Sequence, residues 1–180
     1  PGVTLPVEVI RSRNRRKTVH AELLDGVVRV RMPAWIGEDE EREVVADLVA
    51  KLERRHTSQQ VDLPTRTTAL AATYDLPLPA SITWSDLQRK RWGSCSLPAR
   101  TIRISTRLAA FPPWVLDSVI VHELAHLVEY EHSPRFYDLV ARYPHTAKAD
   151  GFLLGVNYQG SDSGDTDEVG AGPDIGFPAP

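Results

Sequence analysis

The residues of this chain whose types and spacing can do chemistry together are His122, Glu123 and His126, with His132 six positions further on. On a helix, side chains at i and i+4 lie one above the other, so both imidazoles of His122 and His126 can reach one ion. Glu123 is placed to take a proton from a water bound to that ion. A third nitrogen from His132 would leave the fourth position of a tetrahedral zinc open to water, which is the catalytic rather than the structural pattern. The chemistry implied is metal-assisted hydrolysis. The plainer alternatives are an amphipathic helix that happens to carry two histidines, and an exposed loop histidine at 132.

The elements that must position these groups follow from geometry. A continued helix would turn His132 about 600° past His126 and away from the shared face. The helix is therefore expected to end near Tyr130. Ser133-Pro134 then supplies a cap and a proline at the first helical position, opening a second helix at Arg135-Phe136-Tyr137. Upstream, Pro112-Pro113 starts the metal helix, and Leu116, Val119, Ile120, Leu124 and Leu127 supply its buried side. A metal site is accurate only on a rigid element, so that burial is required.

Composition sets the frame. The chain has 180 residues, 42% apolar and 25% charged, as expected for a soluble domain with a substantial core. The net charge of −3 is uneven, because Ser161–Pro180 carries five acids and no base. Residues 1–160 keep 21 bases against 19 acids, too weak a bias to imply nucleic acid. A single cysteine, Cys95, excludes an internal disulfide framework and fits a reducing compartment, so a cytoplasmic location is expected. No run approaches the roughly 18 apolar residues of a membrane span, and the start at Pro1 has no signal-peptide pattern.

Residues 7–32 read as strands. Val19, Ala21 and Leu23 alternate with His20 and Glu22, Asp25-Gly26 is a two-residue hairpin turn, and Val28, Val30 and Met32 alternate with Arg29 and Arg31. The run Arg11–Lys17 holds five bases and reads as a charged strand edge, with a phosphate or acidic partner as the alternative. Residues 38–56 form a helix, acidic at its start and basic at its end, with Val45, Leu48, Val49 and Leu52 as its apolar stripe. A short helix is expected around Arg66–Tyr74, ended by Leu76-Pro77-Leu78-Pro79. Ile82 and Trp84 open a strand, Arg91–Ser96 runs toward a turn at Pro98, and Ile102 and Ile104 return. An extended substrate could pair with such an edge. Arg89, Lys90 and Arg91 could neutralise a carboxylate, phosphate or oxyanion, or form a simple exposed cluster. Cys95 reads as a small buried residue rather than a ligand. A last helix spans Thr146–Asn157, and from Gly160 onward the composition is that of disorder.

Together, Arg91-Trp92-Gly93-Ser94-Cys95-Ser96, Pro112-Pro113, His122-Glu123-Leu124-Ala125-His126 and His132-Ser133-Pro134-Arg135-Phe136 resemble the YgjP-like metallopeptidase family, over roughly residues 7–158. The resemblance implies a zincin-type core with His122, His126 and His132 as ligands and Glu123 as base. Members are usually described as zinc metallopeptidases, some carry a nucleotide pyrophosphatase description, and related SprT-like proteins act on DNA-bound proteins. The His126–His132 spacing is also that of metzincins. Glu129 stands where those have glycine, so the turn must be made differently here.

The expected fold is therefore α+β, with an N-terminal β-rich portion, a second β-hairpin and a zincin-like helical metal core. One domain is expected over 1–158, comprising a hairpin-plus-helix portion at 1–60 and a catalytic core at 81–158, followed by a disordered acidic tail at 159–180. The expected activity is zinc-dependent hydrolysis of peptide bonds in a protein or peptide substrate, with no membrane involvement. Arg91, Ser94 and Tyr137 are candidates for stabilising the oxyanion. Two rivals are a phosphoanhydride hydrolase using Arg89, Lys90 and Arg91, and a zinc-stabilised module that binds nucleic acid through Arg11–Lys17.

Overall fold

Alternation in the first part of the chain becomes a three-stranded sheet. In the computed structural model, which describes residues 5–88 and 90–161, strands β1 (Val7–Ser12), β2 (His20–Leu24) and β3 (Val27–Pro33) lie in the order β1-β3-β2. The β2–β3 pair is the expected hairpin. Its turn residues Asp25 and Gly26 have φ of 51° and 78°, the left-handed pair that a two-residue turn requires. The sheet centre was not expected to be parallel on its other side, yet β1 pairs with β3 in that sense. Val28, Val30 and Met32 point inward and are fully buried. Helix α1 (Glu38–Gln59) packs the stripe Val45, Leu48, Val49 and Leu52 against them, and it runs one turn beyond its expected end at 56. Arg11, the first base of the basic run, pairs with Glu41 at 2.6 Å. These elements make up the first of two compact units, divided between Gln59 and Gln60.

The second unit opens with helix α2 (Leu63–Tyr74), which starts three residues before the expected Arg66. Asp62 caps it by accepting from the Thr65 N–H at 3.1 Å, and Pro64 sits in the first turn, where a missing N–H costs nothing. Strands β4 (Ser81–Ser85), β5 (Gly93–Ser96) and β6 (Thr101–Ser105) form a sheet in the order β4-β6-β5. The β5–β6 hairpin is as read. Strand β5 is shorter than Arg91–Ser96, and β4 pairs with β6 in parallel. Ile102 and Ile104 are buried, and β5 is left as an edge.

Helix α3 (Pro113–Ala125) carries the candidate chemistry. The five expected apolar residues are all buried, four of them within α3 and Leu127 just past its end, and so are Val115 and Val121 on other faces. A helix buried nearly all round is an interior element and holds its side chains to a narrow range of positions. Asp117 ties it to α2 through a two-pronged pair with Arg66, at 2.5 and 2.9 Å. The expectation that α3 ends near Tyr130 is wrong by about a turn: it ends at Ala125. Leu127 and Val128 donate to carbonyls three residues back, at 3.0 and 2.9 Å, so the chain tightens and leaves the helix early. Glu129 is not among the left-handed residues, so the turn after His126 dispenses with that conformation.

Helix α4 (Pro134–Val140) begins as read, with the Ser133 hydroxyl accepting from the Phe136 N–H at 3.3 Å. Helix α5 (Thr146–Ser161) continues four residues past the expected Asn157. Gly151 and Gly155 weaken it by about 1 kcal/mol each relative to alanine. Packing of Phe152, Leu153 and Val156 on the core outweighs this. Residues 162–180, most of the segment expected to be a disordered acidic tail, lie outside the described residues. Among the described residues no helix is long and apolar enough to cross a membrane. The architecture is α+β, as expected.

Candidate metal centre and active site

His122 and His126 project from the end of α3, and His132 from the turn before α4. A potential ligand atom from each of the three lies within 4.8 Å of the others. The Nε2 atoms of His122 and His126 are 3.2 Å apart. Metal–nitrogen bonds of about 2.0–2.1 Å in a tetrahedron separate two ligand nitrogens by roughly 3.3 Å, so the pair already has the spacing of one tetrahedral edge. His126 Nδ1 lies 3.3 Å from the Glu129 carbonyl. Donation there fixes the tautomer and leaves Nε2 as the lone-pair nitrogen, the outer support common behind metal-bound histidines. The early helix end thus has a use, because it brings the Glu129 carbonyl under His126. The residues fit a metal ion.

Phe136 packs the cluster together. Its ring stacks on His126 at a centroid distance of 4.5 Å and meets His122 and His132 edge-on at 4.9 and 4.6 Å. Burial, followed by the neighbouring His126 and His132, pushes the His122 pKa down to about 3 from 6.5. A neutral ring is the form that can ligate. The folded value lies below the unfolded one, so the neutral ring's contribution to stability is complete above about 6.5 and is lost as pH falls toward 3. Metal-free protein is therefore expected to lose melting temperature across that window more steeply than its His122→Gln variant. Parallel pH profiles for the two would contradict this.

Glu123 is buried and lines the same cavity of about 620 Å³ as the three imidazoles. It lies against Gly93 of β5, where there is no room for a side chain. Glycine in a strand is a signal of close approach, but the sequence alone does not say to what. Arg91, Ser94 and Tyr137 also line the cavity. The Ser94 hydroxyl accepts from Gln88 Nε2 at 2.6 Å, and the Tyr137 ring lies over His132 at 6.3 Å. Arg89 is outside the described residues, and Lys90 is exposed. Cys95 is not in the histidine cluster. Burial and the charge of Glu123 push its thiol up to about 11, so it is protonated at neutral pH. Trp92, whose role the sequence did not reveal, is buried and carries the Arg107 guanidinium 3.8 Å over its ring, bracing the start of β5.

Three imidazoles beside a buried carboxylate, next to an edge strand, are the arrangement expected of a metallopeptidase core. A model of the YgjP-like metallopeptidase domain matches residues 36–151, and the chain belongs to that family. Among solved structures, the chain is similar to the metallopeptidase zymogen jannalysin of Methanocaldococcus jannaschii. The two are 19% identical with a TM-score of 0.46, over 55% of this chain and 97% of that one. No curated protein matches it.

If His132 is a ligand, its removal should cost more metal affinity than the roughly 10–100-fold typical of losing an outer support. His132→Ala is expected to exceed that loss while the circular dichroism spectrum stays that of the parent, since Phe136 still joins α3 to α4. Metal titration in competition with a chromophoric chelator measures it. An unchanged affinity would remove His132 from the ligand set.

Proposed function

We propose that this protein is a zinc-dependent endopeptidase, with His122, His126 and His132 as the zinc ligands and Glu123 as general base. The observation that carries the reading is the convergence of the three imidazoles and the Glu123 carboxylate on one cavity. When bound there, zinc supplies Lewis acidity that acidifies water and polarises a carbonyl. The chain's own residues supply the rest. An extended peptide adds to the open edge of β5, its backbone pairing with little demand on sequence. Glu123, held in a water-poor setting, takes the proton of the attacking water and returns it to the leaving nitrogen. Tyr137, Arg91 and Ser94 border the space where the oxyanion forms. Tyr137, with its ring against an imidazole, is the donor we assign. The single cysteine, with its thiol protonated, suits a reducing cytoplasm.

Cleavage of a denatured protein by the zinc-loaded chain, abolished by a chelator and restored by zinc, is the expected result. The same preparation incubated with nucleoside triphosphates tests the phosphoanhydride alternative, for which Arg91 at the cavity wall is the supporting residue. Triphosphate hydrolysis without proteolysis would replace the peptidase reading. Nucleic-acid binding draws less support, because Arg11 in the basic run is already paired with Glu41.

A further inference from the structure

The metal-site cavity does not end at the imidazoles. It continues to the face of α5, where Ala147, Asp150 and Leu153 recur at helical spacing, opposite Val119 of α3 and Val140 of α4. Four of these five residues are apolar. Asp150 is the exception: a half-buried carboxylate that hydrogen-bonds to or pairs with none of the described residues. The bases closest to it in sequence are engaged elsewhere, and Arg91, which also lines the cavity, lies at the β5 end and is not paired with it. Lys148 sits 4.4 Å over the Trp114 ring, Arg142 donates to the carbonyls of Tyr74 and Asp75, and His145 packs against Tyr143. The other cavity carboxylates are Glu123, used as the base, and Glu131, which is exposed.

A carboxylate withdrawn from water without a cation is costly to the fold, and burial accordingly pushes its pKa upward. The cost is offset if the cation arrives with the ligand. Val119, Val140, Ala147 and Leu153 around an acid with no cation of its own among the described residues suit one kind of side chain, a methylene stem ending in a positive charge. We propose that Asp150 gives the cavity a preference for substrates carrying a lysine or arginine side chain beside the bond to be cut. This rests on the peptidase reading, since it names the substrate class of that same site.

Two measurements test it. In the first, zinc-loaded Glu123→Gln protein, which should bind without cleaving, is titrated with a labelled peptide containing one arginine and with its twin containing citrulline. Citrulline has nearly the same shape without the charge. The arginine peptide is expected to bind about 10- to 100-fold more tightly, as befits a partly buried charged hydrogen bond. Adding Asp150→Asn should erase the difference, and Asp150→Glu should keep most of it. Equal binding of the twins, or a preference that survives Asp150→Asn, overturns the proposal. In the second, cleavage sites in a denatured protein are mapped by mass spectrometry. The parent should place a basic residue at one fixed position, and Asp150→Asn should scatter its cuts. Cleavage without any basic preference overturns the role of Asp150 alone. No cleavage with the arginine preference intact overturns the peptidase reading alone.

Discussion

Replacing Glu123 by glutamine is expected to lower peptide hydrolysis by about 10²–10⁴-fold while leaving the metal in place, because general-base assistance is worth about that much. The side chains are nearly isosteric, and Glu123 sits on a helix whose other faces are buried, so the imidazoles have no reason to move. The amide cannot accept the proton of an attacking water. The measurements are turnover of a denatured protein and metal content of the same preparation. Retained metal with lost proteolysis supports the assignment. Retained metal with full proteolysis would mean that another group takes the proton. Loss of both would mean that the substitution disturbed the ligands, and Glu123→Asp would then be compared, since it keeps a base but shortens its reach.

Much of this site was legible because its signals are local. A four-residue interval between His122 and His126 is a helix property, and Ser133-Pro134 announces a new helix whatever the rest of the chain does. The end of α3 was misplaced because tightening to carbonyls three residues back leaves no mark in composition. The start of α2 was misplaced because Pro64, which precedes the expected start at Arg66, is favourable in a first turn. Partner choice in the sheets was the least legible feature. Residues 7–32, and Ile82 with Trp84, announce strands, but the parallel pairing of β1 with β3 and of β4 with β6 depends on contacts distant in sequence. Asp150 was invisible for a similar reason: its significance comes from a cavity assembled from three helices.

Gly93→Ala is expected to be nearly as damaging to activity as removing Glu123, although alanine is the smallest possible addition. Gly93 does not have a positive φ, so the backbone there would accept any residue. What it lacks is space. A Cβ at this position would fall on the Glu123 carboxylate, within 2.8 Å of both its Cγ and Cδ. Neither partner's backbone can easily retreat. Gly93 is paired with Ile104 of β6, the Trp92 carbonyl accepts from Ser105 at 2.9 Å, and α3 is clasped by the core. The carboxylate is the part that can swing, and it can do so into the cavity. The stability cost should therefore be at the low end of overpacking, about 1 kcal/mol. Activity should still fall by about 10²-fold or more, since a displacement of about 1 Å at a reacting group costs that much. Metal content should hold, as the three atoms nearest the new methyl all belong to Glu123 and not to a histidine. Combining Gly93→Ala with Glu123→Ala separates this cause from a general loosening of β5. If the methyl acts by striking Glu123, its destabilisation should largely vanish once that side chain is truncated, a coupling that thermal or urea unfolding of the four proteins would measure. A fully active Gly93→Ala protein would show that the carboxylate has no need of the position it holds beside β5.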